Sequence, residues 1–426
     1  MTVYDLFFLV FAIGYLPYLV LKSKAHEDFG QRFGFLPEGL KRAGRERPIW
    51  IHAVSVGEVM TAKNLIKRLC EAHPEIKVVI STTTKTGQHI ARKSLPEKVE
   101  KFYFPLDFSF TVRKALDVVR PSVVAIMETE IWPNFILELS KRKIPVCIVN
   151  GRLSERSSVG YKRIKFIFKK ILKKIDMFCM QSEADAERIK EIGANPERVH
   201  VTGNMKFDIN PAAPSSSGFA LKRQELGIEL DALFLIAAST HKGEEKIILD
   251  SYSKLKKSFP GLELLIAPRH IDRSRDIANM IKEKGLGVSF VSELESGKKR
   301  KPGAGDILIL DTIGELVKFF NLSDIVFMGG SLIKRGGHNL VEPAVFGKAI
   351  LFGTHMFNFR RMRDVFLNEK AAVCVKDENE LTETLSALLG DRSKRDALGN
   401  KARSLLDKNS GATEKNLNVL RKFYEN

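Results

Sequence analysis

Cysteine is scarce in this sequence, and the gap excludes a good deal. Cys70, Cys147, Cys179 and Cys374 are the four in 426 residues; none forms a Cys-x-x-Cys pair or lies at metal-ligand spacing from a histidine. That argues against a disulfide scaffold and a zinc ribbon. Cys147 and Cys179 sit in the apolar runs VCIV and MFCM, where a thiol reads as a small buried hydrophobe with no catalytic part. The G-x-G-x-x-G dinucleotide fingerprint and the G-x-x-x-x-G-K-[ST] phosphate loop are both missing, which counts against a dehydrogenase and an NTPase. No Asp-x-Asp pair is present to hold a metal-bound diphosphate. Acidic residues are also in deficit, 51 against 69 basic ones, for a net charge of +18. The excess predicts an anionic partner without choosing among nucleic acid, anionic lipid and a phosphorylated substrate. No aromatic-interleaved RNA-binding motif accompanies the lysines.

What is present is the composition of a folded protein, 44% hydrophobic and 28% charged, at a length that suits two α/β domains. The N-terminus opens on an uncharged run of sixteen residues, Leu6 to Leu21, followed by Lys22, Lys24 and Arg32. Its length is at the short edge for a span of about 20 residues. No basic stretch precedes it and no small-x-small cleavage site follows, so it reads as an uncleaved membrane anchor over residues 1–22. Lysines on its C-terminal side place the body of the protein in the cytoplasm.

Beyond the anchor, short apolar runs alternate with helical stretches, the pattern of parallel sheets built from βαβ units. Strands are predicted at 48–54, 77–82, 122–128, 145–150, 177–181 and 199–203 in the first half. In the second they are predicted at 233–239, 262–267, 306–311, 324–330, 349–353 and 371–375. The expected fold class is α/β, with two Rossmann-like doubly wound domains at 23–207 and 219–426. The segment DINPAAPSSSG (208–218) reads as the linker. Ligands of such sheets sit at the carboxyl ends of the strands, so the expected active site is a cleft between the domains. A helix is predicted over Tyr161 to Asp176, with Ile164, Ile167, Phe168, Ile171, Leu172 and Ile175 on one stripe. Its other face is basic, carrying Lys169, Lys170, Lys173 and Lys174 among others. That face is either solvated surface or a contact with anionic lipid.

The residues just after the strands carry the candidate chemistry. Ser55-Val56-Gly57-Glu58 reads either as a capping box or as a strand exit presenting Glu58 as a general base. Glu128 and Glu130 follow the third predicted strand beside Trp132, and Lys206 follows the last strand before the linker. In the second half, Pro268-Arg269-His270 puts a guanidinium fork at a strand end, suited to a phosphate or carboxylate. Ile313-Gly314-Glu315 follows another strand. Then come Gly329-Gly330-Ser331 and the run Gly336 to Ala344. The second of these is a glycine-rich loop expected to open a helix and offer free amides to an anion, with Glu342 placed to hold ribose hydroxyls.

Taken in order, IWIHAVSVGE, STTTKTG (81–87), METEIWPN, NGRLSERS (150–157), TGNMKFD (202–208), STHKGEE (239–245), APRH, DTIGEL, GGSL, RGGHN and GTHMFNF (353–359) resemble the Kdo (3-deoxy-D-manno-octulosonic acid) transferase family, inverting glycosyltransferases of the glycosyltransferase-B fold. The resemblance covers nearly the whole chain; Asn339-Leu340-Val341-Glu342 departs from the family's NPLE but keeps the asparagine and the glutamate. It implies transfer of Kdo from CMP-β-Kdo to the 6′-hydroxyl of a lipid A precursor (tetraacyl disaccharide bisphosphate, lipid IVA) at the cytoplasmic face of the inner membrane, with no metal or other cofactor. By the same resemblance Glu58 is the proton acceptor, and Glu128 and Lys206 stabilise the transition state. Pro268, Arg269, Ile313, Gly314, Glu315, Asn339, Leu340, Val341 and Glu342 bind CMP. The implied partners are the CMP-Kdo donor, the lipid acceptor and an anionic membrane surface, and nucleic acid is not among them. A same-fold transferase using a UDP-sugar and a membrane-tethered nucleic-acid-binding protein stand as rival readings.

Overall fold

The computed structural model describes residues 4–5, 27–208, 223–295, 302–303 and 305–424. The expected anchor run Leu6 to Leu21 and nearly all of the expected linker lie outside them. Among the described residues no helix is long and apolar enough to cross a membrane. The chain divides into two compact units. Unit 1 is Met1–Asp208 with Asn409–Asn426, and unit 2 is Ile209–Lys408.

Unit 1 is built on seven parallel strands: β1 (Ile49–His52), β2 (Val78–Thr82), β3 (Glu100–Tyr103), β4 (Val123–Met127), β5 (Val146–Gly151), β6 (Met177–Met180) and β7 (Val199–Val201), in the order β3-β2-β1-β4-β5-β6-β7. Alternate residues feed two cores. Trp50 packs with Val79, Phe102 and Phe135 on one face, while Ile49 and Ile51 pack with Leu65, Ile66 and Val123 on the other. A strand buried on both faces is apolar throughout, which is why these strands stand out as continuous runs. Strand order reverses between β1 and β4, the crevice where a doubly wound sheet takes its ligand.

Unit 2 repeats the plan with β8 (Leu233–Thr240), β9 (Leu262–Pro268), β10 (Val288–Phe290), β11 (Ile307–Ile309), β12 (Ile325–Met328), β13 (Ala349–Gly353) and β14 (Val373–Val375), in the order β10-β11-β9-β8-β12-β13-β14. Its reversal falls between β8 and β12. Two strands, β3 and β10, were not predicted from the sequence. Both pair with a single neighbour and are short, and β3 is set in the charged run EKVEKFY, so neither carries the apolar signature of an inner strand.

Three expectations about boundaries need correction. The second domain does not run to residue 426, because the helix Ala412–Arg421 buries Ala412, Leu417 and Leu420 in the same unit 1 core as Leu65 and Leu69. Asp208 fixes its start, accepting from the Gly411 amide at 2.7 Å and from the Thr413 amide. The predicted helix at 161–176 is broken at Ile164 (φ −117°, ψ 27°) into Glu155–Arg163 and Lys165–Leu172. Only the end of its apolar stripe is in the core: Ile171, Leu172 and Ile175 are buried, whereas Ile164 is 42% and Phe166 71% exposed. Finally, the residue ahead of the apolar run is tied to unit 1. Asp5 is buried and accepts from the Ser109 amide and hydroxyl and from Asn134 Nδ2, each at 2.8 Å.

Candidate functional site

At the exit of β1, Ser55 caps the helix Val56–Ala72, its hydroxyl accepting from the Glu58 amide at 3.4 Å. The Glu58 carboxylate is 6% exposed and reaches back, accepting from the Val54 amide at 2.8 Å and the Ser55 hydroxyl at 2.8 Å. The capping geometry is therefore present, and it holds the carboxylate in place. Burial pushes the Glu58 carboxyl up to about 7, helped by the negative charges of Glu128 and Glu130 and opposed by the two hydrogen bonds. A carboxylate held still and half ionised near neutral pH has the properties of a general base.

Across the strand-order reversal, Glu128 leaves β4 with a left-handed backbone (φ 54°), as does Asn150 at the end of β5 (φ 55°). Neither is a glycine, and such conformations persist only where the surroundings enforce them. Glu128 pairs with Arg152 Nε at 2.7 Å and Lys206 Nζ at 3.0 Å. Asn150 is fully buried and organises the neighbourhood. Its Oδ1 accepts from the Met205 amide at 2.9 Å, its amide donates to Asn416 Oδ1 at 3.2 Å, and its carbonyl accepts from Gln181 at 2.9 Å. The segment bearing Lys206 is thus clamped from two sides, by Asn150 and by the last helix through Asn416 and Asp208. The structure brings Glu58, Glu128 and Lys206 together: Glu58 feels the charge of Glu128, and Glu128 pairs with Lys206. Glu130, also named at that strand exit, lies with them, and the structure adds Arg152 and Asn150, which lay in the NGRLSERS motif without an assigned role. Glu130 is partly buried, and that burial, with the Glu128 charge, raises its carboxyl as well.

In unit 2 the exits of β8, β9 and β12 gather arginines and imidazoles. Arg269 and His270 leave β9 exposed; His241 follows β8, and His338 and Arg335 follow β12. His241 Nε2 lies 3.0 Å from His338 Nε2, with the two rings within 9° of parallel. Gly330 (φ +67°) makes room, since a Cβ there would come 3.2 Å from the His338 ring and 3.3 Å from that of His241.

The amides of Gly330, Ser331 and Leu332, in and beside the first glycine-rich loop, are already occupied. Glu244, fully buried, accepts from the amides of Gly330 at 2.6 Å, Ser331 at 2.9 Å, Leu332 at 2.9 Å and His241 at 3.0 Å. The chain thereby supplies its own anion to that nest. The helix after the second loop, Val341–Val345, is five residues long; the Val341 amide is taken by Asn339 Oδ1 at 3.1 Å and the Gly337 amide by the Gly330 carbonyl at 2.8 Å.

Among the predicted CMP contacts, Arg269 and Glu342 interact electrostatically, and Asn339 donates to Glu342 at 3.4 Å. Burial is the main reason the Glu342 carboxyl is raised. Leu340 and Val341 are fully buried, and Pro268 ends β9. Ile313, Gly314 and Glu315 lie past β11 on the same sheet edge, two strands from β8. Ile313 is 72% exposed there, and Glu315 is paired with Lys318. Among the described residues no group of three or more His, Cys, Asp or Glu is placed to hold a metal ion.

Comparison with known proteins places this arrangement. Residues 27–209 match the family described as 3-deoxy-D-manno-octulosonic-acid transferase (kdotransferase). A 3-deoxy-D-manno-octulosonic acid transferase from Haemophilus influenzae is 32% identical over 95% of this chain and 93% of its own. A bifunctional glycosyltransferase/methyltransferase from Fusobacterium nucleatum is 35% identical over 89% of this chain, which spans 58% of that longer protein. Among solved structures, UDP-GlcNAc 2-epimerase from Neisseria meningitidis superposes with a TM-score of 0.55 over 89% of this chain and 100% of the other, at 13% identity, a likeness of fold alone.

Proposed function

The chain belongs to the 3-deoxy-D-manno-octulosonic acid transferase family of glycosyltransferases, and on that premise we propose that it transfers Kdo from CMP-β-Kdo to a hydroxyl of a lipid A precursor of the lipid IVA type. The observation that carries the mechanism is Glu58, a fixed and buried carboxylate raised to about 7 at the point where the unit 1 strand order reverses. An inverting displacement needs a base for the acceptor hydroxyl as the glycosidic bond to phosphate breaks. Glu58 takes that proton. Lys206 and Arg152, held on Glu128, supply positive charge as the bond to the donor lengthens. The leaving nucleotide carries one phosphate, and in this reading Arg269 with the neighbouring imidazoles of unit 2 meets its charge, so no metal is assigned a part.

The proposal extends to an anionic membrane surface at the cytoplasmic face of the inner membrane. It is supported by the apolar run before Lys22 and by the broken basic helix, where exposed Val159, Ile164 and Phe166 stand beside Lys165, Lys169 and Lys173. Mass spectrometry of the product formed from CMP-Kdo and a tetraacyl disaccharide bisphosphate lipid tests the assignment. Addition of one or more Kdo units is expected. No product from CMP-Kdo, with transfer from a UDP-sugar instead, would overturn it.

A further inference from the structure

At 3.0 Å, one of the nitrogens His241 Nε2 and His338 Nε2 donates and the other accepts, so two neutral rings share a single proton in the gap between them. One ring then carries a hydrogen on its second nitrogen, and the other carries a lone pair there. The groups facing the pair are mostly imidazole and guanidinium. His270, its ring 5.8 Å from that of His241, and Arg269 come from the exit of β9, and Arg335 comes from the loop after β12. Two carboxylates stand close, and both are engaged. Glu245 is bound by Arg273 at 2.7 Å, and Glu244 accepts four backbone amides. Among the described residues neither Arg269 nor Arg335 has a carboxylate within ion-pair distance. Burial first, and then the cations around them, hold both imidazoles below their usual range, His338 at about 4.

We infer that the His241–His338 pair grips the phosphate of the bound nucleotide and takes up one proton from solvent as it does so. The proton goes to the ring nitrogen that carries the lone pair. The shared hydrogen bond survives, and an acceptor that repels phosphate becomes a donor that binds it. The pair then offers one N–H from each ring. What opposes the second proton is the surrounding positive charge, and an entering phosphate offsets it; an opposite charge at hydrogen-bonding distance moves a pKa by about 1 to 3, and a dianion brings two. The inference rests on the reading that unit 2 takes CMP.

Isothermal titration of the full chain in detergent with CMP, at pH 7.5 in buffers of differing ionisation enthalpy, tests it. Nucleotide monophosphate is already dianionic there, its second pKa being about 6, so the ligand contributes little to the proton count. Uptake of roughly half to one proton per CMP is expected, with none for cytidine, which lacks the phosphate. His241→Asn and His338→Asn should each bring the uptake towards zero and weaken CMP about tenfold. Wild-type affinity for CMP should fall as pH rises from 6 to 8, the reverse of what ionisation of the phosphate alone would give. Saturable CMP binding with no buffer dependence, or an uptake that survives both substitutions, overturns the inference while leaving the nucleotide reading intact. An absence of CMP binding to the wild type removes that reading, and this inference with it.

Discussion

The strand exits of unit 1 gather carboxylates and cations that answer one another, whereas those of unit 2 gather arginines and imidazoles whose carboxylate neighbours are mostly engaged elsewhere. In unit 1, Glu128 is paired with both Arg152 and Lys206, and among the described residues Glu58 and Glu130, both raised by burial, have no cation at ion-pair distance. In unit 2, Glu245 is engaged by Arg273 and Glu244 by four amides, while Glu342, which interacts with Arg269, is buried and accepts from Asn339. Arg269, Arg335 and three imidazoles are left facing one edge. A closed charge set holds a reactive group at a chosen pKa, and an open one binds an anion from outside. The contrast supports the proposed division, with chemistry in unit 1 and donor binding in unit 2.

The largest expected effect breaks the comparison at unit 1. Glu58→Gln should leave CMP affinity nearly unchanged and lower turnover by about 10²-fold or more, the usual size for loss of a general base. Wild-type kcat/KM should rise with pH along a limb centred near 7 as Glu58 ionises, and the variant should lack that limb. The same variant bears on stability. The folded carboxyl titrates above its unfolded value of 4.5, so its contribution to stability is full below 4.5 and is lost as pH rises through about 7. A neutral amide escapes that loss, and thermal melts at pH 8 should show Glu58→Gln at or above wild type. Near-normal turnover would leave Glu58 only its capping role.

A smaller effect is expected on the unit 2 side. Arg269→Ala should raise KM for CMP-Kdo about tenfold, near 1.4 kcal/mol, with kcat changed less. A phosphate contact present in both ground and transition states is mostly uniform binding. Steady-state kinetics with each substrate varied in turn checks it. An unchanged donor KM, with the lipid acceptor alone affected, would remove the division of labour between the two edges.

The same contrast marks what the sequence conveys and what it withholds. Inner strands announce themselves because burial on both faces forces unbroken apolar runs, and strand exits then locate Glu58, Glu128, Lys206 and Arg269 without any structure. Interactions that join distant segments leave no such trace. Nothing in GEE (243–245) says that Glu244 fills the amide nest at Gly330 to Leu332. Nothing in the last helix says which core it completes, since an apolar stripe records burial and not the partner. Its buried Asn416 and Thr413, polar residues on an otherwise apolar face, were the available hint of a specific docking site. The left-handed backbones at Glu128 and Asn150 were equally hidden, because neither residue is a glycine and each conformation is imposed by its surroundings.

The smallest effect expected separates the two roles of the Glu58 carboxylate. Ser55 caps the helix and also donates to Glu58, so Ser55→Ala removes a cap and a hydrogen bond to the ionised form together. Loss of the cap should cost about 1 kcal/mol of stability. Loss of the bond should raise the Glu58 carboxyl further above about 7, because that bond is one of the two that hold it down. A smaller fraction is then ionised at pH 7, and turnover should drop a few-fold there yet recover by pH 8.5, with the limb displaced to higher pH. Lys206 and Arg152 remain bound to Glu128, so neither the plateau nor the donor KM should move. A limb that stays in place while the protein loses stability would mean that burial alone sets the Glu58 pKa and that Ser55 serves the helix only. A lowered plateau at every pH would instead show that the hydroxyl positions the carboxylate for the acceptor.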